Sequence, residues 1–571
     1  MKLVKYYFLL SCLATLMIRC HPNPSETILH NGTIYTIDNN LSEVNAIAIR
    51  GDKIVGVGAL ADIKSKVGAQ ARMIDLKGKF MLPGLVDSHN HAIKGGERLL
   101  TADAGETLFS YEQLKAFAED ALESGRGARG NGLYITGIHS SQWTHIDMLD
   151  SLFNNHPYKY RPVMLLGMDG HTAWCNQFQL ANAGVDDAVL KAFPREQALF
   201  YGRNSNGSLS GFLSEIAVDK IAEALPPSPI TPTQRALNGV HHLNSLGITA
   251  WLDPSSGNVA EGLQNESLAA YAELATKNQL TAHVAATVVA SVDSSIQRQI
   301  LMLKNLQQKF NGQNISVLGF KLFADGVMEY PTQTAALSVP YTNSESSGSL
   351  LVDPGRLVKF VTRADKNNLL VHIHAIGDRA VSVSLDAFAE ARRNNKNSIL
   401  AHSITHLQIV SPHDYHGFAA HNVLLSMQLL WANADRYTID LVKPYIDSTL
   451  FQHQYPAMSL VRAGATLCGA SDWPVTSANP FEAISIAETR KGELGILNAA
   501  ETVPRIEMIK AYTRNSARLI QLENKIGSIE VGKQADFVLL DRDVMNVNPM
   551  EIKDTKVIWT MVGGEIVFSN Q

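Results

Sequence analysis

"FMLPGLVDSHNHAIKGG", residues 80–96, breaks an apolar run at Pro83-Gly84, resumes as Leu85-Val86 and delivers Asp87, His89 and His91 within five residues. In a β-strand, residues i and i+2 project from one face, so a strand running through this stretch points both imidazoles the same way, whereas a helix splays them. Two neighbouring imidazoles on one face suit a divalent transition metal. Taken alone, the pair reads as two surface histidines in a turn. The rest of the chain decides between the two readings.

Downstream, "PVMLLGM", "GITAWLD", "AHVAATVVA", "ISVLGFKLF", "LLVHIHA", "SILAHSITH" and "GATLCGASD" are unbroken apolar or β-rich runs, the pattern of parallel strands buried on both faces. Stretches such as "ESLAAYAELATKNQ" and "DRAVSVSLDAFAEARRN" carry apolar residues at helical spacing between them. Strands alternating with helices predict an α/β fold, either a βα barrel or an open doubly wound sheet. No phosphate-cradling glycine fingerprint follows any of these strands, which disfavours the nucleotide-binding sheet. Residues 27–82 and 525–571 have a different texture, short β segments punctuated by Asn-Gly, Gly-Asp and Lys-Gly. Two all-β pieces at opposite ends most economically form one small domain around a barrel at 83–524. The less regular region at about 100–240, with "ESGRGARGNG" and "LPPSPITPTQ", reads as insertions near a site.

The apolar runs end on reactive side chains. Lys321 sits inside one, where a charged ammonium is costly. "VHIHAIGD" ends on His374, "SITHLQ" on His406 and "LCGASDWPV" on Asp472. In a βα barrel the C-terminal strand ends converge on one face, where active sites are built. Each residue taken singly has an ordinary structural explanation; the coincidence of all these placements does not.

"MLPGLVDSHNH", "GFKLFADG", "HAIGD", "SDWPV" and "GSIEVGKQADFVLLD" resemble the amidohydrolase superfamily, in its amidohydrolase-3 branch of YtcJ-like proteins and N-substituted formamide deformylases, from residue 28 to the end and in the expected order. The resemblance implies a (β/α)8 barrel, plus a small β-sandwich formed from both chain ends. It implies one or two divalent metal ions, zinc first among them. His89 and His91 would be ligands after the first barrel strand, Lys321 after the fourth, His374 after the fifth, His406 after the sixth and Asp472 after the eighth. In related two-metal enzymes the strand-four lysine is N6-carboxylated; desolvation favours the neutral amine that this chemistry needs. The alternative for Lys321 is an ordinary ion pair with Asp325. Asp472 would also be the catalytic residue, taking a proton from the attacking water and passing it to the leaving amine. His372, two residues before His374, is expected behind the ligands.

On the substrate side, "LLGMDGHTAWCN" resembles the family's D-G-H-x-x-W loop, which makes Asp169, His171 and Trp174 candidates for closing over a substrate, with Trp143 in the preceding loop. Glu329, in "DGVMEYPTQTAAL", matches a subset of the family and joins the substrate-binding candidates. The implied activity is hydrolysis of a non-peptide C–N bond of amide, N-formyl or N-acyl type. Deamination of a heterocyclic amine is the first alternative; those relatives usually carry a glutamate four residues after the strand-five histidine, here Asp378, and lack the strand-four lysine. Ester or lactone hydrolysis uses the same attack on a polarised carbonyl. A catalytically inactive envelope binding protein would have lost ligands, and none is missing.

Composition sets the remaining bounds. At 571 residues, 45% hydrophobic and 18% charged, the chain is a globular protein able to bury a large core. A formal net charge of −5 without a basic stripe argues against nucleic acid as a partner; a small-molecule substrate is expected, and a homo-oligomer is compatible with the composition. "MKLVKYYFLLSCLATLMIRC" has the layout of an export signal, too short to span a bilayer comfortably. The expectation is a leader over 1–26 and a periplasmic or envelope location, with membrane attachment only through an N-terminal lipid on Cys20 or Cys12. Cys175 and Cys468 imply no disulfide framework.

Overall fold

The computed structural model describes residues 26–105, 107–193 and 195–570. The leader reading, with Cys12 and Cys20, lies outside the described residues, apart from Glu26, which opens the first strand.

Eight parallel strands form the barrel: β1 (Leu85–Asp87), β2 (Ile248–Asp253), β3 (His283–Val289), β4 (Ile315–Phe323), β5 (Leu370–Ala375), β6 (His402–His406), β7 (Val423–Met427) and β8 (Leu467–Gly469). Each pairs with the next along the chain. The seam between β1 and β8 is closed by the Ser88 amide donating to the Gly469 carbonyl at 2.9 Å. Long helices such as Pro354–Lys366 and Asp378–Asn394 cover the outside, burying Phe360, Val361 and Phe388 against the strands. The barrel interior is polar: Lys321, His372, His374, Ser403 and Thr405 are all buried. Register sets their height. Lys321 stands opposite His372, Phe323 opposite His374 and Ala375 opposite His406, so the strand ends present their side chains at one level.

Both ends of the described chain join in a second, eight-stranded sheet, in which the strand Phe80–Pro83 lies between Phe537–Leu540 and Glu26–Tyr35. It folds over its own core of Leu29, Ile47, Met81, Phe537 and Trp559, forming the expected sandwich. The chain passes from this sheet to the barrel at Gly84, whose amide donates to the Asp536 carbonyl at 2.8 Å. Asp536 also accepts from His283 Nε2 at 2.9 Å, tying the start of β3 to the sandwich.

Between β1 and β2 the chain builds more structure than its irregular sequence announces. Six strands from Ala128–Arg129 to Leu209–Ser214 form a sheet with two cores of its own. "PVMLLGM" is a strand here, Val163–Gly167, and not a barrel strand: an apolar run buried on both faces looks alike in either sheet.

On the side of the barrel away from the strand C-termini, Asp365 is fully buried and accepts from His402 Nε2 at 3.0 Å, Arg392 Nη1 at 2.8 Å, Ser398 Oγ at 2.6 Å and Asn395 Nδ2 at 2.8 Å. Burial opposes its charge, and the bonds from His402, Ser398 and Asn395 outweigh that, lowering it from 3.8 to about 2. A depressed carboxyl stabilises the fold above its unfolded value and loses that contribution as the pH falls through the folded one. Asp365→Ala, which strands a buried guanidinium, is expected to cost about 3–5 kcal/mol in chemical denaturation at neutral pH. Asp365→Asn should remove the part of the wild-type acid destabilisation that falls between about pH 4 and pH 2.

Candidate metal centre

The stretch at residues 80–96 does not continue as a strand beyond Asp87. β1 ends at Asp87, and His89 and His91 lie in the turn before the helix Ala92–Arg98. Their alignment comes from the opposite edge of the barrel. The Asp472 amide donates to the His89 carbonyl at 2.8 Å, and the His91 amide to the Trp473 carbonyl at 2.8 Å. Asp87 reinforces this seam: Oδ1 accepts from the amides of His89 and Ser471, both at 3.1 Å, and Oδ2 from Ser471 Oγ at 2.6 Å and Asn90 Nδ2 at 2.9 Å. Burial pushes this carboxyl up to about 6 despite those donors. Gly95 completes the fit, since a Cβ there would stand 2.3 Å from the Trp473 indole.

Asp472 adopts φ 56°, in the left-handed region, as do His406 at 77° and Leu407 at 54°; such backbone costs of order 1–3 kcal/mol per residue and is kept where the surroundings enforce it. Asp472 Oδ1 lies 3.2 Å from both His89 Nε2 and His91 Nε2, and Oδ2 lies 3.8 Å from His406 Nδ1. His406 and His374 pack with ring centroids 4.4 Å apart. His374 Nε2 is 3.0 Å from the Gly326 carbonyl. The Trp431 ring stacks on His406 at 5.6 Å.

These residues fit a cation. Asp472 Oδ1 is buried and accepts no well-formed hydrogen bond, although two imidazole nitrogens face it. The 3.2 Å separations are close to the edge, about 3.3 Å, of a tetrahedron with zinc-type bond lengths. Burial, and then the Lys321 ammonium, hold His89 down to about 3, so it is a neutral imidazole. Its Nδ1 lies 2.7 Å from His372 Nε2, and His372 Nδ1 lies 2.7 Å from Ser403 Oγ. With the His89 hydrogen on Nδ1 the relay runs toward Ser403 and leaves Nε2 bare for a ligand bond. His372 thus stands behind His89.

Lys321 is 1% exposed, its Nζ 4.9 Å from the Phe323 ring centroid. Among the described residues it makes no hydrogen bond or ion pair. Burial lowers it to about 7, against the opposing pull of Asp472. The expected alternative partner is engaged elsewhere: Asp325 accepts from the amides of Ile376, Gly377 and Ala336 at 2.8–2.9 Å, joining the loops after β4 and β5.

Above this floor opens a cavity of about 560 Å³, lined by Asp169, His171, Glu329, His374, His406 and Asp472 among others. Asp169 shapes its own loop, accepting from the His171 and Thr172 amides at 2.8 and 2.9 Å. His171 packs 5.2 Å from His374, and its Nδ1 lies 2.9 Å from Glu215 Oε2. Burial disfavours a charged His171, but Glu215 overcomes it and raises the group to about 9. Glu215, at φ 50°, also accepts from Thr334 Oγ1 at 2.7 Å. Sequence reading missed Glu215 because it follows an ordinary strand with no motif around it. Two candidates are corrected. Trp143 and Trp174 do not line the cavity but pack in the insertion's core, their indole N–H groups donating to Thr172 Oγ1 and the Ser210 carbonyl at 2.8 and 2.9 Å. A tryptophan beside a polar loop is as useful for burying that loop as for closing over a ligand. Asp378, at the position of the deaminase glutamate, accepts from the Ser338 amide at 2.9 Å and does not line the cavity.

Residues 72–568 match the Amidohydrolase family, and the chain belongs to it. It is 26% identical to the protein LONG AFTER FAR-RED 3 of Arabidopsis thaliana over 95% of this chain and 92% of that one. It is 26% identical to the putative amidohydrolase YtcJ of Bacillus subtilis, covering 95% and 99%, and 22% identical to the N-substituted formamide deformylase of Arthrobacter pascens, covering 94% and 97%. Among solved structures it resembles an uncharacterized metal-dependent hydrolase from Pyrococcus horikoshii, with a TM-score of 0.70 and 24% identity over 92% of this chain and 99% of that one.

The relay behind His89 makes a specific demand. His372→Phe keeps the ring but removes the acceptor, and metal affinity should fall by about ten- to a hundredfold. Competition against a chromophoric chelator reads it, and unchanged affinity would remove His372 from the support of the centre.

Proposed function

We propose that this member of the amidohydrolase family is a metal-dependent hydrolase that cleaves a C–N bond of amide, N-formyl or N-acyl type, other than a peptide bond, in a small molecule. The observation that carries the reading is the Asp472 carboxylate, set 3.2 Å from the Nε2 atoms of His89 and His91 on the floor of a cavity. The names of two relatives, an amidohydrolase and a formamide deformylase, and that of a structural neighbour, a metal-dependent hydrolase, support it.

His89, His91 and Asp472 would hold one divalent ion, zinc in the first instance; His374 and His406, with Lys321, would hold a second. The metal, when bound, polarises the scissile carbonyl and lowers the pKa of the attacking water. Asp472 is the proton carrier. Burial works against its charge, and His89, His91 and His406 hold it well below the usual carboxylate range, so it is ionised and able to accept the proton of the attacking water. It returns that proton to the nitrogen as the C–N bond breaks. His171, kept charged by Glu215, donates to the carbonyl oxygen as negative charge develops there. Lys321, with a neutral amine accessible near neutrality, attacks carbon dioxide to give a carbamate and releases one proton to solvent, which turns an unpaired amine into an anionic ligand.

Protein loaded with zinc should carry about two equivalents of metal and lose turnover on chelation. Assayed on an array of N-formyl, N-acyl and cyclic amides, Asp472→Asn should lower kcat by about a thousandfold or more. No bound metal in the wild type, or activity unimpaired in Asp472→Asn, would overturn the reading. Glu215→Gln leaves the hydrogen bond to His171 but removes its counter-charge, and kcat should drop by about ten- to a thousandfold with little change in KM, as expected of a group acting on developing charge.

A further inference from the structure

One wall of the cavity is not used by the hydrolytic groups. Glu329 lies there in the loop after β4, held in place by the Tyr330 amide donating to the Leu441 carbonyl at 2.9 Å and by the Tyr330 ring stacking on Tyr445 at 4.4 Å. Backbone amides at Met328 and Glu329 serve its carboxylate, and the only side chain among the described residues that donates to it is Gln408 Nε2, at 3.5 Å; no Lys, Arg or His among them pairs with it. Gln408 lines the same cavity and is 2% exposed. Its Nε2 divides itself between Glu329 and Gln454 Oε1, both at the 3.5 Å limit. Gln454 is fully buried, and its Nε2 has no partner among the described residues. Buried polar groups in native proteins are normally hydrogen-bonded, and a cluster this poorly satisfied needs an account.

The cluster is also rigid. Arg490, fully buried, donates to the backbone carbonyls of Gln454 at 3.0 Å and Tyr455 at 3.1 Å, and the Tyr455 amide donates to the Gln408 carbonyl at 2.7 Å. Tyr455 and Trp431 line the same cavity, Trp431 with one face against His406. Arg98, which lines the cavity elsewhere, is neutralised by Asp103 at 2.7 Å. A preorganised carboxylate lacking a counter-ion, beside aromatic faces and an amide, recognises a cation by charge-assisted hydrogen bonding and cation–π contact.

We infer that Glu329, Gln408 and the aromatic wall of Tyr455 and Trp431 form a specificity subsite for a protonated amine carried by the substrate away from its scissile C–N bond. The substrates are then N-acyl or N-formyl compounds of diamines or amino-bearing amines, and neutral amides are the poorer class. Burial raises the Glu329 carboxyl, and a cationic ligand would relieve that cost. The inference rests on the hydrolase reading for the cleaved half of the substrate and on this wall alone for the other half.

The test compares N-(ω-aminoalkyl)acetamides of graded chain length with the N-alkylacetamides that carry a methyl group in place of the ammonium, using zinc-loaded protein. The best amine should exceed its neutral counterpart by at least about tenfold in kcat/KM, the size of one charge-assisted bond. Glu329→Gln should bring that ratio to near one, and Glu329→Asp, which keeps the charge but withdraws it, should lie between. Calorimetric binding of the same pairs gives a readout free of turnover. A binding preference lost in Glu329→Gln without any hydrolysis would sustain the subsite and sink the hydrolase reading. Equal binding of amine and neutral compound by the wild type, or a preference that survives Glu329→Gln, would overturn the subsite while leaving the hydrolase reading intact.

Discussion

The seam between β1 and β8 governs the rest of the molecule. A barrel of parallel strands must close on itself, and here the strands that meet are the two shortest, too short for a continuous ladder. Closure passes to the loops beyond them. Ser88, His89 and His91 exchange backbone hydrogen bonds with Gly469, Asp472 and Trp473, and the Asp87 carboxylate gathers Ser471 and Asn90 around the same point. The bonds that shut the barrel are thus the bonds that set two imidazoles against one carboxylate. Stability and site geometry share residues here, so relaxing one disturbs the other.

That coupling explains why the barrel interior tolerates so much polarity. Histidines, serines and a lysine sit where other barrels place branched apolar side chains, and unpaired they would cost several kcal/mol. Most are linked in chains that run from the site into the barrel, such as His89 to His372 to Ser403. Two exceptions are Lys321, whose Nζ has no ion pair among the described residues, and Asp472 Oδ1, which lacks a well-formed donor. A buried carboxylate oxygen without a well-formed donor, facing two imidazoles, suits a group that the chain itself does not supply.

Much of this was legible in the sequence because it depends on short-range patterns. Apolar runs ending in His374, His406 and Asp472 announce strands and their functional ends together, and two β-rich termini announce a shared sheet. The reason offered for the His89 and His91 spacing was incomplete: alternation along a strand would align them, but the strand stops at Asp87 and the alignment comes from a partner loop nearly four hundred residues away. Periodicity carries no information about such a contact. Trp143 and Trp174 misled for a related reason, since a motif names residues without saying which of them pack and which face a ligand. Glu215 and Gln454 were invisible, being single polar residues whose meaning lies wholly in what folds against them.

The division of labour along the chain follows from the same distinction. The residues of the candidate centre come from the barrel strands, as Lys321, His374 and His406 do, or from the turns directly beyond them, as His89, His91 and Asp472 do, close enough to the apolar runs to show in sequence. The groups that line or support the cavity walls come from elsewhere: His171 and Glu215 from the inserted sheet, Glu329 and Thr334 from the loop after β4, Gln454 and Tyr455 from the segment between β7 and β8. None of these segments is needed to close the barrel, so each can change without disturbing the seam. Yet each is anchored: Glu215 by Thr334, Glu329 by Leu441, Tyr455 by the buried Arg490. Loops held this firmly do not adapt to many ligands, because reshaping them would break buried hydrogen bonds that nothing else replaces.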